Sequence, residues 1–547
     1  MKRNALHELE IWKNSTRRKP LIIKGARQVG KTWIMKEFGK THYQQVAYIN
    51  FEQSEILKTT FVTDFNIQRI IRVLQIETGI QIDPTNTLIL FDEIQEAPKG
   101  ITALKYFYEN APEYHIIAAG SLLGVTIHPN TSFPVGKVDF LDLYPMDFDE
   151  FLQNTNPNGL HEVLQQKDKE LLTIYHERLV EQLRLYYYLG GMPEVIASYI
   201  ENNNLEQARE IQKRILSGYE QDFSKHAPIE IVPRIRLVWN AILKQLSKEN
   251  KKFIYNTVRP GARAKDFETA INWLADTGLI YKVNRVESPK YPLIAYADLD
   301  VFKLFILDIG LLGAMGDLSS KTLLNKNKIL TEFKGALTEQ YVLQSLNSNK
   351  KIRTYYWSSD SGTAEIDFLI QLEDQIIPIE VKAEENLQAK SLKVFVEKFK
   401  ATHAVRTSMS PYRIVDWLEN IPLYAINLIE TKESNQVKVT KLTYNSREDN
   451  PFIVNEPKLN YNQYAKIQIT EEQQKIINYL KNKSKKRKDI LEDCLKISNQ
   501  TKNFKHHIEP LIEQGIIELT IKDKPKSQNQ QYQLTAFGKN QLKQPLT

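Results

Sequence analysis

The sequence contains very little cysteine and no long hydrophobic run. A single cysteine, Cys494, in 547 residues excludes a disulfide framework and a cysteine-rich zinc site. The most apolar stretch, 301–315, is interrupted by Lys303 and Asp308, so no segment resembles a transmembrane helix. The first residues, MKRNALHELEIW, are too polar for the hydrophobic region of a secretory signal. We therefore expect a soluble, cytoplasmic protein that does not bind membranes.

Most of the chain also lacks net charge. The chain carries a net charge of +7, and basic residues outnumber acidic ones by this same amount between residues 461 and 547. The rest of the chain is therefore neutral overall. A basic end on a neutral body predicts an acidic partner, most simply a nucleic acid, although a solvated basic surface is the alternative.

The length and the hydrophobic pattern predict several α/β domains. A chain of 547 residues corresponds to roughly three or four domains. Short apolar segments alternate with helix-like ones, and the candidate strands are 21–24, 46–51, 87–92, 114–119 and 138–143. The segment TLILFD is apolar throughout, which is typical of a parallel strand buried on both faces. The fold class predicted is α/β and multidomain, beginning with a parallel sheet.

An eight-residue motif of the form G-x-x-x-x-G-K-[ST] follows the first candidate strand. It consists of Gly25, Ala26, Arg27, Gln28, Val29, Gly30, Lys31 and Thr32. The strand LIIK precedes it and the helical stretch WIMKEFGK follows, as a phosphate-binding loop requires. Its backbone N–H groups would surround the phosphates, Lys31 would reach the β- and γ-phosphates, and the Thr32 hydroxyl would ligate Mg²⁺. All eight residues are therefore predicted to bind a nucleotide.

Two acidic residues and a serine are candidates for the rest of this site. Asp92 ends the strand TLILFD, where it would hold Mg²⁺ directly or through water, and Glu93 would polarise the attacking water. The alternative is a solvated acidic pair at a strand end. Ser121 follows IIAAG, where it would contact the γ-phosphate, although a turn or helix-capping serine fits equally well.

Five motifs in order resemble a family of prokaryotic AAA-type ATPases. They are GARQVGKT, LFDEIQ, IIAAGS, LDLYPMDFDEFL and LGGMPEV. The resemblance covers about residues 6–429 and implies an ATPase joined to a nuclease-like domain of unknown function. It also implies ATP and Mg²⁺ as cofactors and a homo-oligomer as one arrangement. Where the family usually has glycine and arginine, this chain has Gly136 and Lys137, and lysine lacks the planar fork of an arginine finger.

A second acidic site is predicted in AEIDFLIQLEDQIIPIEVKA, residues 364–383. Two alternating runs flank a polar two-residue turn, and this hairpin register places Asp367 opposite Glu380. Alternation puts Asp367, Glu380 and Lys382 on one face of the sheet, where a bound cation would relieve the repulsion between the carboxylates. The arrangement resembles the D…E-x-K site of nucleases with a restriction-endonuclease-like core.

That second resemblance implies a role for each polar residue. Asp367 and Glu380 would ligate Mg²⁺, which activates a water, and Lys382 would orient that water or stabilise developing charge. Glu339, on a predicted helix at about 332–346, matches a further acidic position of the fold and would add a metal ligand. The alternative is a fold that is retained without its chemistry.

Two segments are predicted to be winged helices. Residues 263–283 and 504–519 both show a helix, a glycine and an apolar strand. The internal segment is neutral and is interpreted as a packing module. The terminal one has a predicted recognition helix at 499–514 and a basic wing. The residues predicted to contact DNA are Gln500, Thr501, Lys502, Lys505, Lys522, Lys524 and Lys526.

These interpretations predict four domains and one linker. The boundaries are 1–225 for the ATPase with a helical lid, 226–290 for the internal winged helix, 291–430 for the nuclease-like domain, 431–465 for the linker and 466–547 for the basic winged helix. The leading hypothesis is an ATPase that acts on DNA, with cleavage by its nuclease-like domain and Mg²⁺ left open. The alternatives are a nucleotide-regulated DNA-binding switch or scaffold without nuclease activity, and a chaperone-like remodeller of proteins.

Overall fold

A computed structural model of the chain has two compact units, Met1–Val437 and Lys438–Thr547. The residues that it describes are 1–120, 133–155, 159–248, 251–320, 331–349, 352–359, 364–383, 390–415, 417–429, 470–481, 483–513, 516–520 and 530–535. In this part of the chain, no helix is both long enough and apolar enough to cross a membrane.

The first unit begins with a five-stranded parallel sheet in the order β2-β3-β4-β1-β5. The strands are β1 (Leu21–Lys24), β2 (Gln45–Asn50), β3 (Thr87–Asp92), β4 (His115–Ala119) and β5 (Asp139–Asp142). All five predicted strands are present, each within one residue of its expected bounds. Every residue of β3 is buried, as its apolar run indicated, because helices cover both faces of a parallel sheet.

Fifteen helices are described up to residue 315. They are α1 (Ala5–Lys13), α2 (Lys31–His42), α3 (Glu55–Thr59), α4 (Ile67–Thr78), α5 (Pro98–Asn110), α6 (Phe148–Thr155), α7 (Leu160–Gln166), α8 (Lys169–Ile174), α9 (His176–Leu189), α10 (Pro193–Asn202), α11 (Leu205–His226), α12 (Val232–Leu246), α13 (Tyr255–Val258), α14 (Ala264–Asp276) and α15 (Ile309–Met315). Helices α6 to α11 follow the parallel sheet along the chain.

The turn between α9 and α10 is held by a buried aspartate. Asp308 Oδ2 accepts a hydrogen bond from Gly191 N at 2.6 Å, and its Oδ1 accepts one from Leu311 N at 3.0 Å. Met146 N donates to Gly191 O at 2.7 Å. A Cβ at Gly191 would lie 2.0 Å from Met146 O, so the motif LGGMPEV needs glycine here for close backbone approach.

Gly191→Ala should therefore destabilise the first unit strongly. The added methyl group collides with backbone atoms rather than with a flexible side chain, so we expect a loss of about 3 kcal/mol. Gly316→Ala is the matched control, because a Cβ there has its nearest neighbour at 3.6 Å, an ordinary contact. Thermal unfolding of both variants tests this, and equal midpoints for the two would contradict it.

The remainder of the first unit is organised around an eight-stranded sheet in the order β12-β13-β11-β10-β9-β8-β6-β7. Its strands are β6 (Ile280–Val286), β7 (Ala297–Ile306), β8 (Thr354–Ser358), β9 (Glu365–Leu372), β10 (Gln375–Val381), β11 (Ala404–Ser408), β12 (Arg413–Val415) and β13 (Leu418–Pro422). Strand β6 pairs with β7 and also with β8, so the segments 226–290 and 291–430 share this one sheet. The predicted domain boundaries remain predictions.

Two helices accompany this sheet, α16 (Thr331–Ser348) and α17 (Lys390–Phe399). The hairpin of β9 and β10 has the predicted two-residue turn, and the pairing of Gln375 with Leu372 and of Ile379 with Phe368 is the expected register. From residue 331 the chain forms a helix, three antiparallel strands, a helix and a strand parallel to β10.

Among the described residues of the second unit are three short helices and a three-stranded sheet in the order β14-β16-β15. Its elements are α18 (Glu471–Tyr479), β14 (Lys485–Lys486), a π-helical turn (Asp489–Cys494), α19 (Thr501–His507), α20 (Glu509–Glu513), β15 (Ile517–Leu519) and β16 (Gln531–Leu534). The prediction of one recognition helix over 499–514 was wrong. The helix ends at His507 because Pro510 has no N–H to donate and its ring excludes a carbonyl of the preceding turn.

Candidate nucleotide site and second acidic cluster

The predicted phosphate-binding loop lies between β1 and α2, at the carboxyl edge of the parallel sheet. Gly25 has a φ of 148°, Gln28 of 65° and Gly30 of 96°. A Cβ at Gly25 would lie 2.2 Å from Leu143 O, so only glycine allows the loop to leave β1 beside the end of β5. The loop therefore has the curled backbone that a phosphate group requires.

Lys31 lies across this loop. Its Nζ donates hydrogen bonds to Gly25 O at 2.9 Å and to Ala26 O at 2.7 Å. Burial lowers the pKa of Lys31 to about 8, although the nearby carboxylates of Glu93 and Asp92 oppose the shift. A triphosphate would offer anionic oxygens to the same ammonium group, which would favour its charged form.

Asp92, at the end of β3, joins the loop to the sheet. Its Oδ2 accepts hydrogen bonds from Thr32 Oγ1 and from Tyr48 OH, both at 2.8 Å. The two residues predicted to hold Mg²⁺, Thr32 and Asp92, are thus in direct contact. Sequence reasoning missed Tyr48, although it lies on β2, the neighbour of β3. Burial and this hydrogen bond raise the pKa of Tyr48 to about 12, so its hydroxyl stays a donor.

Glu93 begins a sharp turn directly after Asp92. Its φ of 50° is uncommon for a residue other than glycine, and the 3₁₀ turn Ile94–Glu96 follows. Gln95 Nε2 donates to Glu93 Oε2 at 2.6 Å, which fixes the carboxylate at the strand end. Sequence reasoning also missed Gln95, although Gln95 ends the motif LFDEIQ, in which it follows Glu93 by two residues. The backbone strain here accompanies a positioned polar group, as is common at functional sites.

Contacts of two arginines, Arg27 and Arg3, connect the loop to other segments of the first unit. Arg27 forms an ion pair with Asp222 of α11, and Tyr219 OH of the same helix donates to Arg27 O at 2.9 Å. On the other side, Arg3 Nη1 donates to Val29 O at 3.0 Å. Helix α11 and the N-terminal segment therefore both hold the loop, through its backbone and through Arg27.

Of the remaining residues predicted here, one lies outside the described part of the chain. That residue is Ser121, so its contact with a phosphate remains a prediction. Lys137, which replaces the arginine usual in the family, has its Nζ 3.0 Å from Glu109 Oε1 and 5.5 Å from the centre of the Tyr108 ring. This lysine is thus paired with an acidic residue of its own domain.

A cavity of about 270 Å³ adjoins the first residues of the loop. It is lined by Gly25, Ala26 and Gly120 on one side and by Thr277 and Gly278 on the other. A Cβ at Gly278 would be 3.3 Å from Ala26 N, so the end of α14 lies against the loop. The internal helical module therefore contacts the nucleotide site.

The second predicted site has the expected strands but unexpected contacts. Asp367 Oδ2, on β9, accepts a hydrogen bond from Val381 N at 2.7 Å. Lys382 Nζ lies 2.6 Å from Glu380 Oε1. Glu380 Oε2 is buried and has no hydrogen-bond partner among the described residues. The structure therefore brings Asp367, Glu380 and Lys382 to neighbouring positions, with Lys382 paired to its own predicted metal ligand.

Two lysines that sequence reasoning missed complete this cluster. Lys251 forms an ion pair with Glu339 of α16. Lys303 Nζ, on β7, lies 2.5 Å from Glu365 Oε1 and 3.8 Å from Glu339 Oε2. The only signal in the sequence was Lys303 itself, a charge inside the apolar run 301–315. We define Lys251, Lys303, Glu339, Glu365 and Asp367 as the lysine–carboxylate cluster.

Burial and pairing shift the pKa values in this cluster in opposite directions. Burial and the charge of Glu339 raise the pKa of Asp367 to about 7. Burial alone would raise the pKa of Glu339, but Lys251 and Lys303 more than offset this and lower it. Burial alone would lower the pKa of Lys303, but Glu339, Glu365 and Asp367 raise it. Glu339 and Lys303 are therefore a charged pair in the interior.

Glu339 and Glu365 meet at the ammonium groups of Lys251 and Lys303. Across the described residues, no group of three His, Cys, Asp or Glu side chains is arranged to hold a metal ion. Glu339 binds lysine, and Asp367 accepts a backbone N–H. Metal binding by Glu339, Asp367 and Glu380 remains a prediction, and this arrangement does not favour it.

The residues predicted to contact DNA are only partly described. Gln500 and Lys502 are exposed at the start of α19. The side chains of Thr501 and Lys505, and all of Lys522, Lys524 and Lys526, lie outside the described residues. Arg487 stacks its guanidinium 4.8 Å from the centre of the Phe504 ring, which places a basic residue of the preceding turn against α19.

Family models match four separate parts of the chain. They are an AAA domain at residues 17–152, a domain of unknown function (DUF8612) at 180–322, another (DUF4143) at 334–433, and the C-terminal domain of Fic-like proteins, named for filamentation induced by cAMP, at 471–535. The first match covers the parallel sheet, the loop and Asp92, so the chain contains a P-loop domain of the AAA type. No curated protein matches the chain.

Several solved structures share part of the fold. The Walker-type ATPase PABY2304 of Pyrococcus abyssi is 15% identical, with a TM-score of 0.38, over 58% of this chain and 95% of that one. Cdc6p of Pyrobaculum aerophilum is 13% identical, with a TM-score of 0.22, over 58% and 94%. Orc1 of Aeropyrum pernix, solved in complex with DNA, is 13% identical, with a TM-score of 0.24, over 57% and 90%. At these values the likeness does not bear on function.

Proposed function

We propose that the chain binds ATP with Mg²⁺ and hydrolyses it. The observation that carries this proposal is the hydrogen bond between Thr32 and Asp92, which joins the loop to the strand end as a nucleotide–Mg²⁺ site requires. The loop backbone and Lys31 would bind the phosphates, and Thr32 and Asp92 would hold Mg²⁺. Glu93, positioned by Gln95, would orient the attacking water and accept its proton.

Replacement of Glu93 by glutamine tests the hydrolytic step separately from binding. An amide keeps the shape of the side chain but cannot accept the proton, so we expect hydrolysis to fall roughly 100-fold or more. The affinity for ATP should stay within a few-fold of wild type, because Lys31, Thr32 and Asp92 are unchanged. Phosphate release and binding of a fluorescent ATP analogue measure the two effects.

The matched control is Glu96→Gln, because Glu96 lies in the same 3₁₀ turn and has no described hydrogen bond to the loop. It should hydrolyse ATP as wild type does. Hydrolysis at the wild-type rate by Glu93→Gln would exclude Glu93 as the group that activates water. Loss of binding in that variant would instead assign Glu93 a structural role.

We propose further that the second unit binds DNA, and that ATP regulates this binding. The support is its excess of basic residues and the exposure of Lys483, Lys486, Lys488 and Lys502 in the described part. Phosphate groups attract such lysines with no need for a specific base sequence. The proposal includes a winged-helix fold for both predicted modules. It also includes a homo-oligomer.

Cleavage of DNA by the second site is the less favoured function. One observation speaks for it, since the buried Glu380 Oε2 has no hydrogen-bond partner among the described residues and would accept a cation. The lysine–carboxylate cluster disfavours cleavage, because lysine already pairs with Glu339, one of the predicted metal ligands. We therefore favour the nucleotide-regulated DNA-binding switch without nuclease activity. Incubation of the chain with DNA and Mg²⁺ distinguishes the two, because only the nuclease predicts cleavage that Asp367→Ala removes.

A further inference from the structure

We infer that Lys303 and Lys251 take the place of a divalent cation, so that the lysine–carboxylate cluster is a buried ion-paired joint and not a metal centre. The joint connects β7 and the segment before α13 to α16 and β9. This inference is independent of ATP hydrolysis, because it concerns a different part of the first unit. It replaces the predicted Mg²⁺ by charges that the chain itself supplies.

Lys303 is the centre of the joint. Its side chain is 0% exposed, and its ammonium group lies 2.5 Å from Glu365, 3.8 Å from Glu339 and 4.8 Å from the centre of the Tyr356 ring. A lysine at such depth is stable only if carboxylates surround it, since an unpaired buried charge is strongly unfavourable. The neighbours of Lys303 are therefore required for the folding of β7 in this position.

Lys251 reaches the same carboxylates from a different direction. Its side chain is 12% exposed and is ion-paired with Glu339. Two residues later, Phe253 N donates a hydrogen bond to Phe302 O at 2.8 Å, next to Lys303 in β7. This backbone contact fixes the Lys251 segment beside β7. Because this segment lies beside β7, both lysines contact Glu339.

The cluster holds three carboxyl groups and two ammonium groups. Glu339 and Glu365 form ion pairs with Lys251 and Lys303, and Asp367 accepts a hydrogen bond from Val381 N. A divalent ion at Asp367 would add two positive charges beside two buried ammonium groups, and their repulsion is strong at low dielectric. The unpartnered oxygen of Glu380 alone does not supply the several ligands that Mg²⁺ needs.

Metal titration of the full chain without nucleotide tests the inference directly. With MgCl₂ or MnCl₂ as the probe, the unfolding midpoint of wild type and of Asp367→Asn should respond identically, because neither binds metal at this cluster. A metal-dependent rise in the midpoint of wild type that Asp367→Asn removes would overturn the inference. A rise that both proteins share comes from another site and agrees with it.

Replacement of Lys303 tests the role of the internal cation. Lys303→Met keeps the length of the side chain but leaves the carboxylates unpaired, so the midpoint should fall by several degrees. Lys282→Met is the matched control on the adjacent strand, where Lys282 lies over the Phe302 ring and has no described carboxylate ion pair. Equal midpoints for the two variants would overturn the inference.

Rescue by metal and by a second substitution completes the test. Mn²⁺ should raise the midpoint of Lys303→Met, since it restores a cation to the carboxylates, while it leaves Lys282→Met unchanged. The double variant Lys303→Met/Glu365→Gln should be more stable than the sum of the single effects predicts. If Lys303→Met does not fold, the partly exposed Lys251→Met serves in its place. Failure of both the metal rescue and the coupling would overturn the inference.

Discussion

Lys31→Ala should abolish measurable ATP binding and, with it, ATP hydrolysis. In the free protein the Lys31 ammonium group is held by the carbonyls of Gly25 and Ala26, within the loop that would receive the phosphates. Alanine removes the charge that faces the β- and γ-phosphates, and no other described lysine reaches this loop. Loss of a charge-assisted hydrogen bond costs up to about 3 kcal/mol, which corresponds to roughly 100-fold in affinity.

Titration calorimetry with ATP and Mg²⁺ measures this effect. Lys40→Ala is the matched control, because Lys40 is an exposed lysine in the last turn of the same helix, α2. The control should bind ATP with wild-type affinity. If Lys31→Ala still bound ATP within a few-fold of wild type, the loop would not be the phosphate site, and the assignment of Thr32 and Asp92 would fail with it.

The pattern of the sequence predicted the parallel sheet well for a physical reason. Strands such as TLILFD are buried on both faces, so their composition follows from the fold and leaves little choice at each position. The register of the β9–β10 hairpin was equally predictable, because side-chain alternation and a two-residue turn allow only one pairing. Strand burial, side-chain alternation and turn length therefore predicted the positions of Asp92 and Glu93. They also predicted the strands that carry Asp367 and Glu380.

Contacts between distant segments could not be predicted in this way. Lys303 and Glu365 are distant in sequence and meet only because β7 joins the sheet whose other strands include β9. Spacing alone suggested a metal for the carboxylates, since the charge within the apolar run 301–315 does not reveal which residues Lys303 would contact. The role of Tyr48 was not predicted either, because its contact with Asp92 depends on the pairing of β2 with β3.

The break in the predicted recognition helix has a different origin. Helical spacing continues through Ile508 and Leu511, so the apolar pattern alone favours one helix. Pro510 overrides that pattern, and the chain forms α19 and α20 in place of one continuous helix. The apolar positions are nevertheless buried as the pattern required, since both short helices pack on the same core.

Deletion of residues 467–547 should weaken DNA binding about 1000-fold and reduce its dependence on salt. Each phosphate contact that is lost lowers the slope of log affinity against log salt by about 0.9, because fewer counterions are released. The deleted segment carries a net charge of +6, nearly all of the positive excess of the chain, so several contacts should disappear together. Fluorescence anisotropy with labelled duplex DNA at several salt concentrations measures both quantities.

A graded variant separates charge from fold in this experiment. Replacing Lys486, Lys488 and Lys502 by glutamine removes three exposed positive charges and leaves the described core of the unit intact. If these lysines contact phosphate, the slope should fall by about 0.9 for each of them. The matched control replaces Lys40, Lys58 and Lys99 of the first unit, which should leave the slope unchanged. Equal slopes for the wild type, the triple variant and the deletion would assign the basic unit to a partner other than DNA. ATP turnover should then be tested with proteins in place of nucleic acid.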